Sequence, residues 1–380
     1  MRIGIDVRSL QNDSRNRGIG TYSRCLIKNL VSIDKENEYI FFVFNNSRLP
    51  AFLSETEFKN VKIRRVNATK RRLAWVSAQT TLPYFTAKER LDIFHAIECI
   101  VAAFFPRKEI ITVFDFINSD YDFYRQRNNF LRKIYFYFRD QTLKRADKII
   151  AISEYTKQKI IELAGIKEDK VKLIYPAVDE AFRPQNDHEL FLRLRKKYKI
   201  ESDFLLFVGS FMHHKNIHGL IKAFNQIKFK DIGLVLVNVT NNMEYLCYIK
   251  RLIVDLRLQD KIYILGCIPQ EDLVGIYNMA QLVISVSFYE GFGLPMLEAM
   301  SCAKPVIAAD NTSMREIVDS SGILVDPYNT EEITEAIDNL LSDGQLRKAL
   351  SERGLKRSRE FSWHRAAEET LCLYKVLSGE

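Results

Sequence analysis

Short runs of β-branched and aromatic residues alternate with longer stretches of helical character along the whole chain, and this alternation is the tightest constraint on its fold. The runs fall at Arg2–Asp6, Tyr39–Phe44, Val61–Arg64, Leu91–His95, Ile110–Phe114, Lys148–Ile152 and Val171–Tyr175. They resume at Phe204–Gly209, Gly233–Val237, Lys261–Leu265, Leu282–Val286, Pro305–Ala308 and Gly322–Val325. Most are continuously apolar rather than alternating, so they predict parallel strands covered by helices on both faces. Strands alternating with helices read as α/β, doubly wound, and there are enough runs for two sheets.

A chain of 380 residues exceeds the ~250–300 that one core usually serves. The polar stretch Glu180–Asp187, with Pro184 inside it, precedes a fresh strand and marks the expected boundary. Two such halves predict ligand binding beyond the carboxyl ends of their strands.

Composition excludes several classes. No uncharged apolar run nears the ~18–20 residues of a membrane span, Cys99–Pro106 being far too short, and Asp6 interrupts any leader, so a cytoplasmic protein is expected. Six scattered cysteines without a C-x-x-C pair argue against zinc and against a disulfide framework. The net charge of +8 suits an anionic partner.

The residues best suited to chemistry follow Leu282–Val286. In Tyr289-Glu290-Gly291-Phe292-Gly293-Leu294-Pro295-Met296-Leu297-Glu298, Pro295 suits a first helical turn and the glycines let backbone approach a ligand. The helix start offers N–H groups and a positive dipole end to phosphate, and the two carboxylates can accept bonds from sugar hydroxyls. On the residues alone a plainer account stands equally: Glu298 complements the dipole and Glu290 is a solvated loop acid. A second stretch, Phe207-Val208-Gly209-Ser210 with His213-His214-Lys215-Asn216, places a lysine at a strand mouth, where it would stabilise a departing diphosphate. Taken alone it reads first as a surface lysine. A third, Arg17-Gly18-Ile19-Gly20-Thr21-Tyr22-Ser23, is a glycine loop before a helix. Ser23 in place of a third glycine, and no strand-end acid near position forty, speak against NAD.

Glu290 to Glu298 resembles the E-x7-E signature of retaining glycosyltransferases of family 4, and the likeness runs on through Glu298-Ala299-Met300 to Pro305-Val306-Ile307-Ala308. The resemblance implies the GT-B fold: two Rossmann-like domains facing a central cleft, with a C-terminal helix crossing back. Residues 1–182 with 363–380 would then form the acceptor domain and 183–362 the donor domain. It further implies that Glu290 faces the transferred sugar, that the Gly291, Phe292, Gly293 and Leu294 backbone holds hydroxyls and phosphate, and that Glu298 binds ribose. Gly209 to Asn216 resembles G-x-x-x-x-R-K-N, with Lys215 and Asn216 in register. His214 stands where the family has arginine and Ser210 where some members have another. By the same resemblance Gly18 and Gly20 face the donor phosphates, while Cys267 and Ile268, in Leu265-Gly266-Cys267-Ile268-Pro269, meet the nucleobase. Smaller matches at Ala151–Lys157 and Ile174–Asp179 fill in the register.

One stretch departs from the pattern. Thr112-Val113-Phe114-Asp115 puts phenylalanine where family members have a histidine near the reacting bond. Asp115 is left as a polar group there. His95, one strand away, is either a substitute or a core histidine. Asp120-Tyr121-Asp122 has the form of a cation motif but no further ligand cluster, so no metal cofactor is expected.

The expected function is transfer of a hexose from a nucleotide-diphosphate sugar, GDP-mannose first and a UDP-hexose second, to a glycan or lipid-linked acceptor. A silent sugar-nucleotide-binding subunit and another GT-B chemistry, such as epimerisation, are the alternatives. Arg125, Arg127, Arg132, Lys133, Arg139, Lys144 and Arg145 interleave with aromatics, and Lys62–Trp75 adds a second basic cluster. These suit either peripheral contact with an anionic membrane, at its inner face, or a packed helix with a solvated side. No nucleic-acid motif accompanies the charge.

Overall fold

A computed structural model describes residues 1–11, 18–45, 53, 59–66, 82–97, 108–117, 130–238 and 242–379, leaving aside the side chains of 130–135. The chain divides into two compact units, Met1–Pro176 with Ser362–Glu380, and Ala177–Phe361.

The first unit holds strands β1 (Arg2–Asp6), β2 (Glu38–Phe44), β3 (Val61–Val66), β4 (Ile93–Ala96), β5 (Lys108–Val113), β6 (Lys148–Ala151) and β7 (Val171–Leu173). They form one sheet in the order β3-β2-β1-β4-β5-β6-β7, every pair parallel. Strands β1, β2, β4 and β5 are buried along most of their length, as strands covered on both faces must be. The edge strand β3 is more open. Its Lys62 and Arg64 pair with Glu38 and Glu89, so part of the second basic cluster is neutralised within the fold.

The terminal helix Trp363–Ser378 belongs to this unit. Ser362 caps its start and Gly379, left-handed, ends it. Its buried Tyr374 hydroxyl lies 2.7 Å from His95 Nδ1, and His95 Nε2 lies 2.8 Å from Thr112 Oγ1. Trp363 meets Tyr22 edge-on, and Tyr22 meets Phe114 at 5.0 Å.

The second unit holds β8 (Phe204–Gly209), β9 (Gly233–Asn238), β10 (Ile262–Leu265), β11 (Leu282–Ser285), β12 (Val306–Ala309) and β13 (Ile323–Val325). Their order is β10-β9-β8-β11-β12-β13, again all parallel. Phe182 already packs inside this unit, edge-on to Tyr277, and the Asn278 side chain bonds Arg183 O and Gln185 N–H. The polar stretch after Pro176 is therefore the first part of the second unit, and the expected division at 182/183 lies inside it.

Each strand expected from the apolar runs is present, with ends displaced by a residue or two. The glycine loop is different: Gly18 and Gly20 lie in the first turn of the helix Gly18–Ile33, not ahead of it. The local reason is Ser23, whose hydroxyl donates to Ile19 O and meets Ser9 Oγ, tying that first turn to the segment after β1. Most of the basic aromatic stretch, including Arg125, Arg127, Arg132 and Lys133, lies outside the described side chains. Within the described part, Arg139 lies 4.3 Å from the Phe116 ring centroid and pairs with Asp140, and Arg145 pairs with Glu109. Tyr137 nonetheless remains exposed.

Candidate active site

In the second sheet the direction of winding reverses between β8 and β11, which are neighbours. Loops leaving two such strands diverge to opposite faces, opening a crevice at their carboxyl ends. Strand β8 ends at Gly209 and β11 at Ser285, so Ser210–Asn216 and Val286–Gly293 leave the sheet on either side of that point.

The first loop is fixed by Asn216, which adopts φ 50°, a left-handed conformation that asparagine tolerates better than most residues. Its Oδ1 accepts the Gly219 N–H, capping the helix Ile217–Gln226, while its Nδ2 donates to Val286 O at 3.1 Å and Pro327 O at 2.7 Å. The amide is thereby spent on the protein. Asn216, expected to touch the donor, instead ties three loops together and sets the position of Lys215. The Phe288 N–H donates to His214 O at 2.7 Å, joining the two loops directly. Burial first, with Lys215 beside it, keeps the His214 imidazole well below its ordinary pKa, so it supplies no charge where the family has arginine.

Lys215 Nζ reaches Glu290 Oε1 at 2.5 Å, and the Ser287 hydroxyl donates to the same oxygen at 2.9 Å. Both charged side chains are largely buried, 15% and 10% exposed, so each is sustained by the other. The strand-edge loop beyond β12 clamps the acid from behind: Glu290 N–H donates to Thr312 Oγ1, Ser313 Oγ donates to Glu290 O, and Asn311 Nδ2 holds Ser287 O and Phe288 O. Next comes Gly293, at φ 102°, which turns the chain into the helix Leu294–Ser301. A Cβ there would sit 2.5 Å from Met314 Sδ. Phe292 is buried, edge-on to Phe361, and the helix opens with Leu294 and Pro295 at the carboxyl edge of the sheet. Pro295 has no N–H and the Met296 N–H donates to Gly293 O at 3.0 Å, which leaves the Leu294 N–H as the first-turn amide without an acceptor within the helix.

Glu298, in the same helix, accepts a 2.8 Å bond from Tyr277 Oη. It keeps one edge at the surface but is closely surrounded, and burial, with Asp179 adding to it, lifts its carboxyl from 4.5 to about 7. A carboxyl whose pKa is higher folded than unfolded favours the fold below pH 4.5, and that advantage is lost as pH rises through 7. Glu298→Gln should therefore flatten the fall in melting temperature between pH 5 and 8, worth about 2 kcal/mol in the parent. Thermal unfolding of both proteins across that range checks it, and parallel curves would reject the assignment.

The remaining expected residues are more scattered. Gly209 is the buried last residue of β8 and Ser210 follows it half-buried. Cys267 and Ile268 follow the edge strand β10, Cys267 exposed. In the first unit Asp115 is exposed and its Oδ1 accepts the Ile117 N–H at 3.1 Å. Phe114 fills the family's histidine position with an aromatic contact, to Tyr22. His95 does not substitute for it: it is fully buried between Tyr374 and Thr112, and burial pushes its imidazole down to about 3. Among the described residues no group of three His, Cys, Asp or Glu is placed to hold a metal, and Asp120 and Asp122 lie outside them. Ser287, Tyr277, Thr312 and Ser313 went unnoticed in the sequence. Only Ser287, three residues before Glu290, carries any local signal.

Residues 192–357 match the family model of Glycosyl transferases group 1, and residues 16–182 that of Glycosyltransferase Family 4. The O-antigen chain mannosyltransferase B of Escherichia coli is 30% identical over 240 residues, which is 62% of this chain and 62% of that protein. The match thus spans less than two thirds of that relative. Sucrose-phosphate synthase from Thermosynechococcus elongatus has the same fold, with a TM-score of 0.81 at 20% identity over 99% of both chains. Anabaena HepE in complex with UDP-glucose gives 0.77 at 19% identity, over 98% of this chain and 100% of that one. At such identities the likeness speaks for the fold, which is GT-B. One family model thus covers most of each unit, and the chain carries a Glycosyltransferase Family 4 domain followed by a Glycosyl transferases group 1 domain.

Proposed function

We propose that this protein is a retaining glycosyltransferase that moves a hexose from a nucleoside diphosphate sugar to a hydroxyl of a glycan or lipid-linked acceptor. The observation that carries the reading is the enclosed Lys215–Glu290 pair beside the Gly293 helix start, at the reversal point of the donor sheet. As the bond between the anomeric carbon and the phosphate oxygen breaks, negative charge collects on the diphosphate. The Lys215 ammonium and the Gly291–Leu294 amides offset it without rearranging. The acceptor hydroxyl oxygen bonds to the same face of the sugar, and its proton passes to the departing phosphate oxygen. Glu290 accepts sugar hydroxyls and balances positive charge at the anomeric carbon, without covalent attack. Glu298 accepts the ribose hydroxyls. Lysine and helix start take the place of a cation, so the reaction runs without metal. The roles of Gly18, Gly20, Asp115, Cys267 and Ile268 rest on the family resemblance alone.

Mannose is the first choice of sugar, on the likeness to an O-antigen mannosyltransferase. A UDP-hexose is the second, since HepE is seen with UDP-glucose. The work is placed on the cytoplasmic side, at the inner membrane face when the acceptor is lipid-linked. A thermal-shift screen across nucleotide sugars identifies the donor, because a ligand of the folded state raises the melting point. Proton NMR of the product then reads the anomeric configuration. Retention supports the proposal and inversion contradicts it. Donor binding with neither transfer nor hydrolysis would favour a silent binding subunit, the reading that Phe114 encourages.

A further inference from the structure

The opposite, amino-terminal edge of the donor sheet carries a cavity of about 450 Å³, within the range of small-molecule sites. Its floor is the start of two strands, Gln281 before β11 and Lys304-Pro305 before β12. Its walls are the helices His188–Tyr198 and Gly344–Ser358. Strand β8 has six residues, so at ~3.3 Å per residue this edge lies ~20 Å from the Lys215 edge. It is a separate place.

Its chemistry is one-sided. Arg195, Lys304, Arg347 and Lys348 line it, and among the described residues no carboxylate does. The two arginines are anchored by the fold. Arg195 donates to Ser202 O and to Asp203, which lies outside the lining, and Arg347 donates to Leu340 O and Leu341 O at the end of a neighbouring helix. The Lys304 and Lys348 ammonium groups, by contrast, make no hydrogen bond or ion pair among the described residues. Lys304 is half-buried, and burial holds its ammonium below the ordinary lysine value. An enclosed ammonium without a partner costs free energy that a bound anion would recover. Phe191, Met279 and Pro305 give the cavity an apolar side as well.

We propose that this cavity binds a soluble phosphate monoester with a small organic body, the phosphate on Lys304 and Lys348 and the body against Phe191 and Met279. Arg347, fixed on carbonyls, supplies background charge while Arg195 is offset by Asp203, and the two unengaged lysines are the adaptable donors. The site is independent of the donor loop.

Titration calorimetry with mannose 6-phosphate on the full chain tests it, in a Lys215→Ala background so that donor-loop phosphate binding is suppressed. The expected result is saturable binding that Lys304→Gln with Lys348→Gln weakens at least ~10-fold. GDP binding by the double variant in the parent background should be unchanged. Lys348 is exposed, so Lys348→Gln alone leaves folding intact and should still weaken the ester several-fold. No heat up to ~10 mM ester, or ester binding lost with Lys215→Ala and kept in the double variant, would overturn the proposal. So would a silent soluble ester combined with lysine-dependent sedimentation on phosphatidic acid vesicles, which would make the site a membrane contact.

Discussion

Replacing Lys215 by alanine should lower the rate of sugar transfer by ~10²–10³-fold in a protein that still folds. The size follows from geometry. The ammonium is held by the Asn216 cross-ties and the His214–Phe288 bond, so it is aimed before the donor arrives. With His214 neutral, the position before Lys215 supplies no second charge. Glu290→Ala should cost a similar factor. The two changes together should cost far less than the product of the two, because Lys215 and Glu290 share one contact and act as a unit. Each single change also leaves a partner charge poorly paired and lowers stability by ~3 kcal/mol, which the melting temperature reads separately. Glu290→Gln separates charge from shape: its carbonyl can still accept from Lys215 and Ser287, so a rate loss with little loss of stability assigns the role to the negative charge. Near-normal turnover in Lys215→Ala would remove the lysine from the mechanism.

Gly293→Ala is the second large effect. Left-handed backbone costs a residue with a Cβ ~1–2 kcal/mol, and at φ 102° Gly293 lies beyond the usual left-handed well. The added methyl would also strike Met314 Sδ, which is fully buried and has little room to move. Together these predict a loss of ~2–4 kcal/mol and a melting point lowered by ~5–15 °C. Donor affinity should fall as well, since the helix start is displaced. Met314→Ala, a buried truncation, costs stability of its own but removes the clash, so the double variant should be more stable than the sum of the two single losses predicts, while the backbone strain remains. An unchanged melting point for Gly293→Ala would mean that the turn is not held as described.

The strands were legible because parallel strands are written as short continuous apolar runs. Phe204–Gly209 is read to the residue, and it is buried throughout. Ends slipped where apolar residues continue past the last paired residue, as at Ile174 and Tyr175 after β7. The pairing of Lys215 with Glu290 was implicit in two local signals, each placed after a strand, but only the strand order brings those strands together. What could not be read are contacts made across the fold. Asn216 looks like part of a ligand motif, yet its bonds go to carbonyls 70 and 111 residues away. Tyr277 carries no pattern that announces its bond to Glu298. His95 needed Tyr374, from the far end of the chain, to be recognised as a core residue.

The claim on which the rest depends is that a lysine and a helix start, rather than a cation, hold the diphosphate. Titration calorimetry of GDP-mannose and UDP-glucose in the presence of EDTA, on the parent and on Lys215→Ala, tests it most directly. The account predicts that the preferred donor binds the parent equally well with and without EDTA, and binds Lys215→Ala at least ~10-fold more weakly. Binding that disappears with EDTA, or that is unaffected by loss of the lysine, would contradict it.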